Sequence, residues 1–122
     1  MHTTPDFHQL SETAAVFSNV ARLRILERLM TGPCIVGDLV QSTGLEQAVI
    51  SKQLGLLRNA GLLVCQAQGR CREYRLAHPE AVASALTALS ALSEAGAANL
   101  RDCPKLAVRK TRTGKTSKEV LS

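Results

Sequence analysis

The most reactive side chains in this sequence are four cysteines, Cys34, Cys65, Cys71 and Cys103. Cys65 and Cys71 lie at mirror positions about Gln68. A three-residue loop in a β-hairpin would place them opposite each other, whereas a two-residue turn would offset them, and the sequence leaves both registers open. Opposed thiols could form a disulfide or bind a soft metal or metalloid ion such as arsenite. A complete metal site would also need Cys34 or Cys103 nearby.

Three interpretations of the cysteines remain open. The first is thiol sensing by oxidation or persulfide formation, which suits Cys34 because a helix N-terminus lowers the pKa of a thiol. The second is binding of a soft metal(loid) ion as a cofactor, with the metal unidentified. The third is that Cys34 and Cys65 are small core residues, while Cys71 and Cys103 are surface thiols. The histidines are scattered along the chain, at His2, His8 and His78.

Residues 45–61 form the segment around which the chain is organised. Ile50, Leu54 and Leu57 recur at i, i+4 and i+7, which predicts the buried face of a helix. The first half of this helix carries small or uncharged side chains and one lysine on its other faces: Gln47, Ala48, Val49, Ser51, Lys52 and Gln53. Residues 36–44 predict a shorter helix before it. Two helices joined by a short turn form a helix-turn-helix, whose second helix usually enters the DNA major groove.

Two glycines and a basic hairpin support the prediction of a helix-turn-helix. Gly44 and Gly61 would close the two helices in the left-handed conformation. Residues 62–67 and 71–76 are typical of two strands around a turn. Gly69, Arg70 and Arg72 would form a flexible basic tip able to reach phosphates. The pattern predicts a mostly α protein with a small β-hairpin, which is a winged helix-turn-helix. The alternative is that the two helices form an αα-hairpin and the β-ribbon only packs against it.

Helices on either side of this core have a predicted role in assembly. Residues 5–18 carry an apolar stripe, and Asn19 is a good N-cap for a helix over 20–31. That second helix would face the core with Ile25, Leu26, Leu29 and Met30. Residues 79–95 predict a last helix with Val82, Leu86 and Leu89 on one face. The first and last helices could form a two-fold dimer interface, or they could close the core of the monomer.

Composition limits the classes of function. The 122 residues predict one domain over 1–100, followed by a basic, disordered tail over 101–122. The tail has seven basic and two acidic side chains, so the net charge of +5 lies entirely within it. The chain shows no apolar run of about 18 residues and no signal peptide, which predicts a cytoplasmic protein without a membrane partner. A glycine-rich phosphate loop and a Ser-His-Asp set are both missing, so an enzyme is not expected.

Three stretches together resemble the ArsR/SmtB family of small winged-helix repressors: residues 19–29, 36–63 and 68–80. The resemblance covers about residues 8–95 and implies an α-α-α-α-β-β-α homodimer that binds a near-palindromic DNA operator and leaves it when an inducer arrives. It also implies DNA contacts at Gln47, Ala48, Ser51, Lys52, Gln53, Gly69, Arg70 and Arg72. By their chemistry, Gln47 and Gln53 could contact an adenine edge, and Ala48 or Val49 a thymine methyl.

The sequence departs from the sensor motifs that the family resemblance would supply. Thiolate sensors carry Cys-Val-Cys where this chain has Cys34-Ile35-Val36-Gly37. Arg101-Asp102-Cys103 matches the end of one arsenite-sensor motif, but Gly96 and Ala97 replace its cysteine pair. Release by cysteine chemistry or by a soft metal(loid) is the expectation. The alternatives are a regulator with another inducer or with none, and a winged helix that docks on protein.

Overall fold

A computed structural model describes residues 4–101, and this part of the chain contains five helices and three strands. They follow the order α1 (Phe7–Val16), α2 (Val20–Leu29), β1 (Cys34–Ile35), α3 (Val36–Thr43), α4 (Gln47–Asn59), β2 (Leu63–Gln68), β3 (Cys71–Leu76) and α5 (Pro79–Arg101). The described residues divide into two compact units between Ala83 and Ser84. The predicted winged helix-turn-helix order is confirmed, with one strand added. The predicted domain boundary at 100/101 and the tail, including Cys103, lie at or beyond the end of the described residues.

Side-chain caps begin the first two helices. Asp6 Oδ1 accepts hydrogen bonds from the backbone N–H groups of His8 and Gln9 at 3.1 and 3.3 Å. Asn19 Oδ1 accepts from the Arg22 N–H at 2.9 Å, which confirms the predicted N-cap. These bonds satisfy donors that a helix N-terminus leaves without intrahelical partners.

Two glycines end the helices of the helix-turn-helix. Gly44 has a φ of 76° directly after α3, and Gly61 has a φ of 83° after α4. Both predictions of left-handed glycine are therefore confirmed. The connection between α3 and α4 is residues 44–46, as short as the helix-turn-helix requires.

An aliphatic core holds α2, α3 and α4 together with the hairpin and the first turn of α5. Its buried apolar residues are Ile25, Leu26, Leu29, Cys34, Leu39, Ile50, Leu54, Leu57, Leu63, Leu76 and Val82. The predicted buried face of α4 is confirmed by three of them. The prediction for Met30 is wrong: α2 ends at Leu29, and Met30, which follows as its C-cap, is 37% exposed.

The three strands form one antiparallel sheet in the order β1-β3-β2. The sequence did not predict β1, because two residues are too short to show the alternation of a strand. β1 pairs Cys34 with Tyr74 and Ile35 with Glu73. Asp38 Oδ2 accepts from the Ile35 N–H at 3.4 Å, which joins this strand to the first turn of α3.

A two-residue turn closes the hairpin and settles the register that the sequence left open. Gln68 pairs with Cys71, and Gly69, with a φ of 62°, takes the first turn position. A glycine there is typical of a type II′ turn, whose twist matches that of the strands. Cys65 pairs with Tyr74 and is offset from Cys71 by three positions along β3. Since side chains alternate between the faces of a sheet, Cys65 and Cys71 point to opposite faces.

The helices at the two ends of the domain expose apolar side chains. In α1, Phe7 is 69% and Leu10 is 52% exposed, and no residue of that helix is buried. In α5, Leu89 and Leu92 are also exposed. By length and composition alone, Pro79–Leu100 is apolar enough to cross a membrane, the one such helix among the residues described. This is weak support for a membrane span, because helices of soluble proteins pass the same test.

Candidate nucleic-acid interface

The exposed face of α4 gathers most of the side chains predicted to contact DNA. With about 100° between successive residues, Gln47, Ala48, Ser51 and Lys52 lie on one side of the helix, around Gly55. All five are exposed. The core residues Ile50, Leu54 and Leu57 occupy the opposite side, and Val49 is half-buried at the margin. We call this surface the α4 face. It contributes nothing to the core of the domain, and its side chains are small or polar, with one charge at Lys52.

Gln53 lies elsewhere. It is only 8% exposed, and its Oε1 accepts a hydrogen bond of 2.9 Å from the Arg22 guanidinium. On the helix it is about 160° from Gly55, so it is on the side of α4 away from the α4 face. The prediction that Gln53 presents its amide to a base edge is at odds with this placement. The periodicity of α4 alone could have placed Gln53 near the core, but nothing in the sequence around it indicated its partner 31 residues earlier.

The hairpin tip is exposed and basic as predicted. Gly69, Arg70 and Arg72 are all exposed. Arg72 pairs with Ala67 across the hairpin, and its charge lies close enough to Tyr74, two positions along the same strand, to oppose the rise in the pKa of that tyrosine. Because side chains alternate along a strand, Arg72 lies on the same face of the sheet as Tyr74, whereas Arg70 stands at the turn itself. The α4 face and this tip are separate parts of one folded unit, because α4 also packs against β2.

Cys34 is a buried core residue. It is 1% exposed, and its Sγ lies 3.5 Å from the Gly32 carbonyl oxygen, to which it donates. Burial raises the pKa of the Cys34 thiol above its ordinary value, although the neighbouring Arg28 opposes this. The expectation of a lowered pKa at a helix N-terminus is therefore wrong. The strand β1, which was not predicted, turns the side chain into the core, and the loss of water there outweighs the charge of Arg28.

Cys34 and Cys65 flank Tyr74 in a row across the inner face of the sheet. Two strand spacings separate their Cα atoms by about 10 Å, beyond the roughly 7 Å that a disulfide can bridge. Burial raises the pKa of Tyr74, and the hydrogen bond of its hydroxyl to Cys65 acts in the same direction. Cys71 is exposed on the other face. The structure thus brings two of the predicted sensing cysteines near one tyrosine, but it does not join any pair.

Metal-binding side chains do not cluster in this part of the protein. Among residues 4–101, no three His, Cys, Asp or Glu side chains are grouped to hold an ion. The soft metal(loid) site predicted at Cys34, Cys65 and Cys71 is consequently not assembled by the described residues. Cys103 lies outside them.

A helix-turn-helix with an exposed second helix, followed directly by a basic hairpin, defines the winged helix-turn-helix class of proteins. Residues 19–63 match the family model of bacterial regulatory proteins of the arsR family. The HTH-type transcriptional regulator Rv0081 of Mycobacterium tuberculosis is 36% identical over 81 residues, covering 66% of this chain and 71% of Rv0081. This chain belongs to the ArsR family of transcriptional regulators.

Other relatives agree in sequence and in structure. The regulator NmtR of M. tuberculosis is 41% identical over 68 residues, which are 56% of this chain and 57% of NmtR. The crystal structure of Rv0081 superposes with a TM-score of 0.67 at 31% identity, covering 80% of this chain and 99% of Rv0081. The homodimeric winged helix-turn-helix domain of Mb0332 from Mycobacterium bovis gives a TM-score of 0.63 at 25% identity, covering 77% and 91% of the two chains.

Proposed function

We propose that this protein is a transcriptional repressor that binds a double-stranded DNA operator through the α4 face and the hairpin tip. The observation that carries the proposal is that the two sides of α4 differ in burial and in side-chain type. One side supplies Ile50, Leu54 and Leu57 to the core, while the other is exposed and carries polar or small side chains. When the α4 face binds DNA, only its few polar groups lose hydrogen bonds to water. Hydrogen bonds to the edges of the bases can replace these.

The side chains divide into two kinds of contact. Gln47, Ala48, Val49 and Ser51 are small or uncharged and fit base edges and thymine methyl groups. Lys52, Arg70 and Arg72 fit phosphates, which hold a protein in register without specifying sequence. Gly69 lets the backbone of the tip approach the DNA closely. Residues 1–100 have no net charge, so these few cations must provide the attraction within the domain. The basic tail at 101–122 would add further sequence-independent attraction.

A homodimer is part of the proposal. Exposed apolar side chains on α1 and α5, including Phe7 and Leu92 at 69% and 68%, supply surface that a second copy of the chain would cover. The homodimeric relative Mb0332 supports the same assembly. Two-fold symmetry would then present two α4 faces to an operator with matching symmetry. We place this dimer in the cytoplasm, without a membrane partner.

We further propose that an inducer releases the repressor from DNA by acting on its cysteines. Oxidation or persulfide formation would act on the more accessible thiols, Cys65 and Cys71, rather than on buried Cys34. Binding of a soft metal(loid) would need these thiols to be completed by Cys103 or by ligands from the second copy. A repressor with a different inducer, or with none, is the alternative.

The test is binding of the reduced, metal-free protein to fluorescent duplexes of its own upstream DNA and of random sequence. Operator binding should exceed random binding by at least about a thousandfold. Gln47→Ala should weaken operator binding by about 1–3 kcal/mol and leave random DNA unaffected. Equal affinity for both duplexes would contradict the proposal. Repeating the titration after oxidant, persulfide donor or arsenite then tests release, and binding that is unchanged by all three would make the cysteines bystanders.

Lys52 provides a second test. Lys52→Ala should weaken binding to operator and random duplex alike, and should lower the slope of log affinity against log salt by about one unit. Arg75→Ala is the matched control: Arg75 is exposed on β3, on the face opposite to Arg72, and should leave the slope unchanged. A loss confined to operator DNA would mean that Lys52 contacts a base.

A further inference from the structure

The Arg22 guanidinium joins three segments of the fold. Its Nε donates to the Val16 carbonyl oxygen at 2.8 Å, and one terminal nitrogen donates to the Ala15 carbonyl oxygen at 3.3 Å. The other terminal nitrogen donates to Gln53 Oε1 at 2.9 Å. Arg22 itself lies in the first turn of α2, where Asn19 caps its backbone N–H. One planar cation therefore links the last turn of α1, the start of α2 and the middle of α4.

The chemistry of this contact fixes the orientation of Gln53. Arginine has donors only, so the amide of Gln53 must turn its oxygen toward Arg22. The carbonyl oxygens of Ala15 and Val16 belong to the negative end of α1, which attracts a cation. Because the guanidinium is a rigid fork, satisfying all three acceptors restricts the position of Gln53 relative to α1. A side chain held in this way is unavailable to base edges.

We propose that Gln53 is a positioning residue: through Arg22 it sets the rotation of α4 about its axis and so aims the α4 face at DNA. The inference rests on the proposed DNA-binding function and assigns Gln53 a role different from that of Gln47. The burial of Ile50, Leu54 and Leu57 already excludes a rotation of α4 by one whole residue, which is about 100°. Smaller rotations would still move the side chains that face the groove, and a fixed anchor on the hidden side of the helix restricts them without contributing any contact to DNA.

The same substitution at two positions of α4 tests the proposal. Gln53→Glu retains an oxygen acceptor for Arg22 and replaces a neutral partner with a charged one. We expect operator affinity within about threefold of the parent protein, because the new charge is paired and faces away from DNA. Gln47→Glu makes the identical change on the α4 face and places a negative charge toward phosphates. It should reduce operator affinity by more than about tenfold.

Removing the acceptor tests the anchor itself. Gln53→Met keeps the length of the side chain but leaves Arg22 without its partner on α4. We expect the Tm to fall by about 5–10 °C. Operator affinity should fall by about tenfold, and by a similar factor on every single-base variant of the operator, since no one base contact is lost. Arg22→Lys keeps the charge but not the fork, so it should reproduce both losses and add little to Gln53→Met in the double variant.

Each other outcome overturns the proposal. If Gln53→Glu loses as much affinity as Gln47→Glu, Gln53 faces DNA. If Gln53→Met lowers the Tm but leaves operator affinity unchanged, the contact only stabilises the fold. If its loss is confined to one base pair, Gln53 contacts that base. Circular dichroism of each variant verifies folding before DNA is added. Failure of the parent protein to bind any duplex would instead refute the proposed function, and the parent titration is therefore made first.

Discussion

Replacing Gly55 with alanine should raise stability and lower DNA affinity in the same protein. Gly55 lies inside α4, on the midline of the α4 face and one turn beyond Ser51 and Lys52, and an added Cβ would meet no atom within 4 Å outside its own stretch of helix. An exposed glycine inside a helix is about 0.8–1.0 kcal/mol less favourable than alanine. Because the new methyl group meets no obstacle, the protein should gain most of that difference, which corresponds to a rise in Tm of about 4–8 °C for a domain of this size.

The effect of Gly55→Ala on DNA binding has the opposite sign. A glycine on the midline of the α4 face permits the closest possible approach of the helix backbone to another surface. The methyl group would stand between α4 and the groove, and we expect operator affinity to fall by about tenfold. Opposite changes in stability and binding cannot arise from partial unfolding, so the two measurements together isolate the steric effect at the interface.

Thermal unfolding and fluorescence anisotropy on the operator duplex measure the two effects. Gly37→Ala is the control, since Gly37 is an exposed helical glycine in the first turn of α3 and an added Cβ there also meets nothing within 4 Å. It should not lower the Tm and should leave operator affinity unchanged. A Tm for Gly55→Ala that does not rise would refute the open space assigned to this position. A Tm that rises with unaltered affinity would refute close approach of α4 to DNA at Gly55.

Three other predictions concern the thiols and the assembly. Cys71 should be alkylated within minutes by a maleimide while Cys34 reacts only on unfolding, as mass spectrometry of digested protein would report; equal rates would contradict the burial of Cys34. Because burial raises the pKa of the Cys34 thiol above its ordinary value, the folded state holds this proton more tightly than the unfolded state. The contribution of Cys34 to the free energy of unfolding, measured with urea under reducing conditions, should therefore be present below the ordinary pKa of a thiol and be lost as pH rises through the raised pKa, so that the alkaline fall is less steep in Cys34→Ala. Leu10→Asp, on the exposed side of α1, should shift the protein from dimer to monomer in sedimentation; an unchanged mass would exclude α1 from the interface.

Patterns among neighbouring residues were sufficient to predict the helix-turn-helix from the sequence. The spacing of Ile50, Leu54 and Leu57 identifies the buried side of α4, and Gly44 and Gly61 mark where two helices end. Asn19 identifies the start of α2. Each of these features depends on residues within a few positions of one another, which is the range over which helix periodicity and capping act.

Features that depend on distant residues escaped prediction. For Cys34 the sequence left a reactive thiol at a helix terminus and a small core residue both open, and it could not choose between them because β1 pairs Cys34 with Tyr74, 40 residues later, and turns it inward. Gln53 was grouped with the DNA contacts because the family resemblance implied it and a glutamine can contact an adenine edge, yet Arg22 hydrogen-bonds to it from another helix. The residues proposed for DNA contact on the α4 face and the hairpin tip remain predictions, and the experiments on Gln47 and Lys52 address them.

The central position of β3 in the sheet has a mechanical consequence. β3 is hydrogen-bonded on one edge to β2, its partner in the hairpin, and on the other to β1, which leads directly into α3. Any tilt of the hairpin must therefore carry the start of the helix-turn-helix with it or break the pairing of Cys34 and Ile35 with β3. The helix-turn-helix and hairpin of each protomer would then meet DNA together, with two points of contact. Adjustment to operators of different spacing would then have to come from bending of the DNA or from a change of angle between protomers.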